Sequence, residues 1–73
     1  MNKEEFFNVV ALAMEQEEGS ITGQEQVANI DSIKIMGLIG LIDEKYNVTV
    51  TPEDFQKSAT VLDLFTLVQE RKG

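Results

Sequence analysis

The 73-residue chain has no cysteine and no histidine, and it carries only six basic residues against thirteen acidic ones. Without cysteine there is no disulfide, no thiolate nucleophile and no cysteine-based zinc site; without histidine the commonest general base and metal ligand is missing. Conventional hydrolase and metalloenzyme chemistry is thereby set aside. The shortage of bases leaves a net charge of −7, which repels nucleic acid and anionic lipid alike and favours a basic partner. Long apolar runs are lacking too. No segment approaches the roughly 20 residues that cross a bilayer, and Met1-Asn2-Lys3-Glu4-Glu5 lacks the basic-then-apolar order of an export signal. The expectation is a cytoplasmic, monomeric chain with no membrane insertion.

What is present reads as one small all-α domain over residues 1–73, an antiparallel bundle of three main helices and one short one. Asn2, with Glu5 three residues on, has the spacing of a helix cap. Phe6, Phe7, Val10, Ala13 and Met14 then recur at helical intervals, so a first helix is expected over about 3–16. Gly19, Ser20, Thr22 and Gly23 break that pattern, and Ile21, Val27 and Ile30 in the following loop are expected to plug into the core. Tyr46 to Thr51 alternates like a strand but has no partner, which predicts an extended connector pinning Val48 and Val50 inward. Thr51-Pro52-Glu53-Asp54 is a strong start for a short helix ending near Lys57. Thr60, with Asp63 three residues on, starts the last helix, whose buried stripe is Val61, Leu64, Phe65 and Val68 and whose end is closed against the dipole by Arg71 and Lys72. Phe6, Phe7, Phe55 and Phe65 are expected in the core.

The segment Ser32 to Tyr46 is apolar around most of its helical circumference. Ile35, Leu38, Ile39, Ile42 and Tyr46 share one arc, and Ile33, Met36, Gly37 and Gly40 lie nearly opposite. One arc can face the core. A bundle this small cannot cover the other, which must then face solvent or a partner, and a docking face is the reading favoured. Gly37 and Gly40 each weaken a helix by about 1 kcal/mol relative to alanine, which close approach by another molecule would explain; relief of crowding inside the fold is the alternative. Asp31-Ser32-Ile33 stands at the head of this helix and sets one hydroxyl beside free backbone N–H groups and the positive end of the dipole, a suitable place for a covalently attached phosphate. Serine there also commonly serves as the N-cap itself. Glu15, Glu17 and Glu18, and separately Glu53 and Asp54, are acidic enough to attract a cation but lack calcium-loop spacing, so they read as solvated faces and no metal is expected.

These elements resemble, across essentially the whole chain, the acyl carrier protein family. The resemblance rests on Asp31-Ser32-Ile33, on Leu38 to Tyr46 ending in Asp43-Glu44-Lys45-Tyr46, on the connector Val48-Thr49-Val50, on Pro52-Glu53-Asp54 and on Thr60-Val61. It implies a carrier rather than an enzyme. Ser32, with Asp31 as its motif neighbour, would receive 4′-phosphopantetheine from coenzyme A through a phosphopantetheinyl transferase, and the thiol of that arm would hold acyl or aminoacyl groups as thioesters. An acyl chain would slip between the second and last helices. Partners would be acyl- or aminoacyl-activating ligases and acyltransferase or synthase enzymes, in chemistry related to fatty acid biosynthesis and lipid metabolism. The chain departs from the family where a glycine usually precedes the aspartate by two residues, here Asn29, and where Lys34 and Gly37 replace acids. From Ser32 to Tyr46, Lys34 and Lys45 balance Asp43 and Glu44, which points to a specialised stand-alone carrier with dedicated enzymes. The rival reading is an acidic helical interaction module whose Ser32 is never modified.

Overall fold

A computed structural model describes all residues from Met1 to Gly73. Four α-helices follow one another: α1 (Lys3–Ala13), α2 (Ser32–Tyr46), α3 (Pro52–Lys57) and α4 (Val61–Lys72), with a 3₁₀ turn at Val27–Asn29 inside the first loop. The all-helical fold class is as the periodicity predicts. No strand forms at Tyr46 to Thr51, and Val48 and Val50 point inward from an extended connector.

Helix α1 is three residues shorter than expected. Its last turn closes at Met14 because Glu15 adopts the left-handed conformation at φ 58°, while Glu15 N donates to Leu12 O at 3.2 Å and Gln16 N to Ala11 O at 2.9 Å. That pair of bonds is a Schellman closure, and it ends the helix although a glutamate occupies the position glycine usually takes. Helix α2 closes by a single bond from Asn47 N to Asp43 O at 2.9 Å, with Asn47 left-handed at φ 58°. Thr51 with Asp54, and Thr60 with Asp63, form reciprocal capping boxes that start α3 and α4.

Cross-links fix how the helices run. Lys34 at the start of α2 reaches Met14 at the end of α1, and Tyr46 at the end of α2 hydrogen-bonds Glu5 at the start of α1, so these two helices are antiparallel. Lys72 at the end of α4 donates to Tyr46 O, so α4 ends beside the end of α2. Between them lies a core in which Phe6, Val10, Leu38, Ile42, Val61, Leu64 and Val68 are fully buried, with Phe6 and Phe65 edge to face at 5.6 Å between centroids. Phe55 and Phe65 are buried and Phe7 is half-buried, covering Gly23, where a Cβ would meet the Phe7 ring at 2.7 Å. Ile21, Val27 and Ile30 are buried as expected of loop plugs.

Candidate functional site

The head of α2 is built by the turn that precedes it. The 3₁₀ turn at Val27–Asn29 brings the chain to Ile30 and Asp31 in extended geometry. Asp31 then caps the helix, its Oδ1 accepting from Ile33 N at 2.7 Å and its carbonyl from Ile35 N at 2.9 Å. The cap is therefore Asp31, and Ser32, one of the residues suited to that role by type, is instead the first helical residue. Because the aspartate takes the capping bond, the Ser32 side chain is exposed and its hydroxyl has no hydrogen-bond partner in the protein. The N–H groups of Ser32 and Lys34 are likewise unpaired. Two free donors and the positive helix end beside a free hydroxyl make a donor set that fits a phosphodiester. Asn29, where a glycine is usual, lies within the 3₁₀ turn and has no positive φ, so asparagine brings no strain there.

Ser32 opens onto an apolar cleft of about 590 Å³. Its walls are Val27 and Ile30 from the turn, Ile33, Ile35 and Met36 from α2, and Pro52 and Phe55 from α3, with Gln56 and Ser58 the polar residues beyond Ser32. No charged residue and no residue of α4 lines it. The cleft lies between α2 and α3, not between the second and last helices. Leu38, Ile42, Leu64 and Val68, from α2 and α4, are fully buried in one continuous core.

The outer arc of α2 is uncovered. Ile33 is 80% exposed and Met36 67% exposed, and Gly37 and Gly40 lie on the surface beside them. An added Cβ at either glycine would meet nothing within 4 Å, so crowding inside the fold does not account for them. Charge is distributed differently from the simple sum. Lys34 is half-buried and turned toward α1, its Nζ 3.4 Å from Met14 O and 4.0 Å from a Glu15 carboxylate oxygen. It sits against the negative end of the α1 dipole and does not lie among the exposed apolar residues.

The α3 wall is held by a pair that sequence spacing does not reveal. Asp54 is only 4% exposed, and its carboxylate accepts from the two terminal guanidinium nitrogens of Arg71, at 2.5 and 2.8 Å, besides Thr51 N at 2.8 Å and Thr51 Oγ1 at 3.1 Å. Arg71 also donates to Thr49 O at 3.1 Å. Asp54 is therefore a buried anchor and not part of a solvated acidic face, and Arg71 crosses to α3 instead of serving only the end of its own helix. The Arg71 guanidinium, helped by the Thr51 donors, holds the Asp54 carboxyl well below the usual carboxylate range against the opposing effect of burial. Glu25 organises the loop: partial burial raises its carboxyl, but the N–H groups of Thr22 and Gly23 and the Thr22 hydroxyl outweigh that and leave it lowered. Burial pushes the Tyr46 hydroxyl up to about 12, with the Glu5 carboxylate that accepts its hydrogen bond adding to the effect.

A family model described as "Phosphopantetheine attachment site" matches residues 8–68, taking in α2, α3, the cleft and most of α1 and α4. Among curated proteins, no match is found.

Proposed function

Because the chain belongs to the phosphopantetheine-attachment family, whose prosthetic group is covalently attached 4′-phosphopantetheine, we propose that Ser32 is its attachment residue and that the protein is an acyl carrier and not a catalyst. The observation that supports this is the exposed, unpartnered Ser32 hydroxyl at the first position of a 15-residue helix. When bound, the arm supplies the thiol this cysteine-free chain lacks, on which acyl groups are held as thioesters. The chain's own residues do the rest. Asp31 fixes the helix start and so the place of the Ser32 hydroxyl, and the free N–H groups of Ser32 and Lys34 would hold the phosphodiester.

Domains of this family work with a phosphopantetheinyl transferase and with acyl-handling enzymes. The finer reading concerns cargo and docking. A cleft with no charged lining shelters an aliphatic acyl chain well and an aminoacyl ammonium poorly, since an unpaired charge is costly to bury. Acyl groups are therefore favoured over aminoacyl groups, loaded by an activating ligase or acyltransferase. Ile33 and Met36 supply apolar contact to those enzymes, while Gly37 and Gly40 let a partner's backbone come close. The arrangement suits a specialised carrier with dedicated enzymes in lipid metabolism. Incubation with coenzyme A and a phosphopantetheinyl transferase, followed by peptide mapping, tests the attachment. The cargo reading is tested by comparing amide spectra of acyl-loaded and aminoacyl-loaded protein. The acyl form should shift Val27, Ile30, Ile35 and Phe55, and equal shifts in both would refute the cargo assignment while leaving the attachment intact.

A further inference from the structure

Leu12 stands apart from the other exposed apolar residues. It is 61% exposed on α1, whereas Ile33 and Met36 belong to the head of α2 and Leu62 to the first turn of α4. It lies in a groove of about 810 Å³ between α1 and the C-terminal half of α2. Glu5, Glu18 and Glu44 line that groove with a single base, Lys45. None of the three carboxylates is in an ion pair; the two ion pairs of the protein are Lys34 with Glu15 and Arg71 with Asp54. An exposed leucine ringed by unneutralised acids is thus complementary to an apolar side chain flanked by cations.

We propose that this groove is a second docking surface, and that its occupant is a cationic amphipathic segment of a partner protein. Such a segment seats an aliphatic or aromatic side chain on Leu12 and sets lysine or arginine opposite Glu5, Glu18 and Glu44. A second copy of this chain is disfavoured, because each carries a net charge of −7. Glu44 lies twelve residues along α2 from Ser32, about 18 Å at 1.5 Å per residue. A partner held in the groove therefore leaves Ser32 and the Ile33/Met36 face accessible, so one protein can stay attached while another works at the head of α2.

The test uses the full chain and a synthetic amphipathic lysine-leucine helical peptide, titrated into labelled protein and followed by amide chemical shifts. Shifts should concentrate at Asn8, Val9, Leu12, Gln16, Glu44 and Lys45. Replacing the peptide's leucines with serine, or introducing Leu12→Asp, should each weaken binding about tenfold. Glu44→Gln, which keeps size and helix, should weaken it more at low salt than at high salt. Addition of phosphopantetheine by the transferase should proceed at an unchanged rate with peptide bound. Shifts spread evenly over the acidic surface, shifts centred on Ile33 and Met36, self-association of the chain through Leu12, or binding indifferent to Leu12→Asp would each overturn the proposal.

Discussion

Replacing Asp54 by asparagine removes one charge and keeps the side chain's size, and it probes the contact that holds α3 against α4. In the native protein the carboxylate accepts from Thr51 N, from Thr51 Oγ1 and from both terminal Arg71 nitrogens while almost wholly buried. Weakening the capping box contributes about 1 kcal/mol, and replacing charge-assisted bonds at a buried acceptor with neutral ones contributes a similar amount. The sum of about 2 kcal/mol corresponds to a fall of roughly 10 °C in Tm for a domain of this size. The pH dependence follows from the sign of the shift. The folded carboxyl lies below the unfolded value of about 3.9, so its stabilisation is fully present above that value and is lost as pH falls below it toward the folded one. Urea denaturation followed by circular dichroism, on both proteins from pH 7 to pH 2, separates this contribution. The other carboxylates titrate in both, so the gap between the two proteins should be full at pH 7 and should narrow steadily below about pH 4. A gap that is absent at pH 7, or that stays constant down to pH 2, would refute the assignment of Asp54 as the anchor of the cleft wall.

Glu15→Gly should raise stability by about 0.5–1 kcal/mol, because a left-handed position with a Cβ is relaxed; the 4.0 Å contact with Lys34 that is lost is solvent-screened. Thermal melts check this, with Glu15→Ala as the control that keeps the Cβ and gains nothing. Gly40→Ala should stabilise α2 by about 1 kcal/mol, since nothing lies within 4 Å of the added carbon, yet slow acyl loading by a dedicated ligase severalfold. Met36→Asp should also slow loading without changing the circular dichroism, and a variant that loads normally would remove the apolar arc from the docking account. Added salt or magnesium should raise Tm, because screening relieves the self-repulsion of a net charge of −7; melts that are flat or falling with salt would contradict it.

The helices were legible because their caps and their periodicity agree. Thr51, Thr60 and Asn2 accept helix N–H groups in the structure, and the residues read as buried stripes of α2 and α4 are buried or half-buried. The Asp31-Ser32-Ile33 head of α2 and its uncovered arc were legible for the same reason. What was not legible depended on contacts distant in sequence or on conformations against residue preference. The end of α1 is set by a glutamate in a left-handed conformation, which amino-acid type does not announce. Asp54 and Arg71 are seventeen residues apart and meet only when α4 folds over α3. Lys34 could be counted with the charges of α2 but not seen turning toward α1. The cleft's position beside α3 depends on how the 3₁₀ turn, α2 and α3 pack together, which spacing alone does not reveal.

Intact-mass analysis of the purified protein after incubation with coenzyme A and a phosphopantetheinyl transferase bears most directly on the carrier assignment. The account predicts one added phosphopantetheinyl group, located to Ser32 by peptide fragmentation, and no addition to a Ser32→Ala variant whose circular dichroism matches the natural protein. An unmodified natural protein in the presence of several transferases active on other carriers, or modification persisting in the alanine variant, would contradict it.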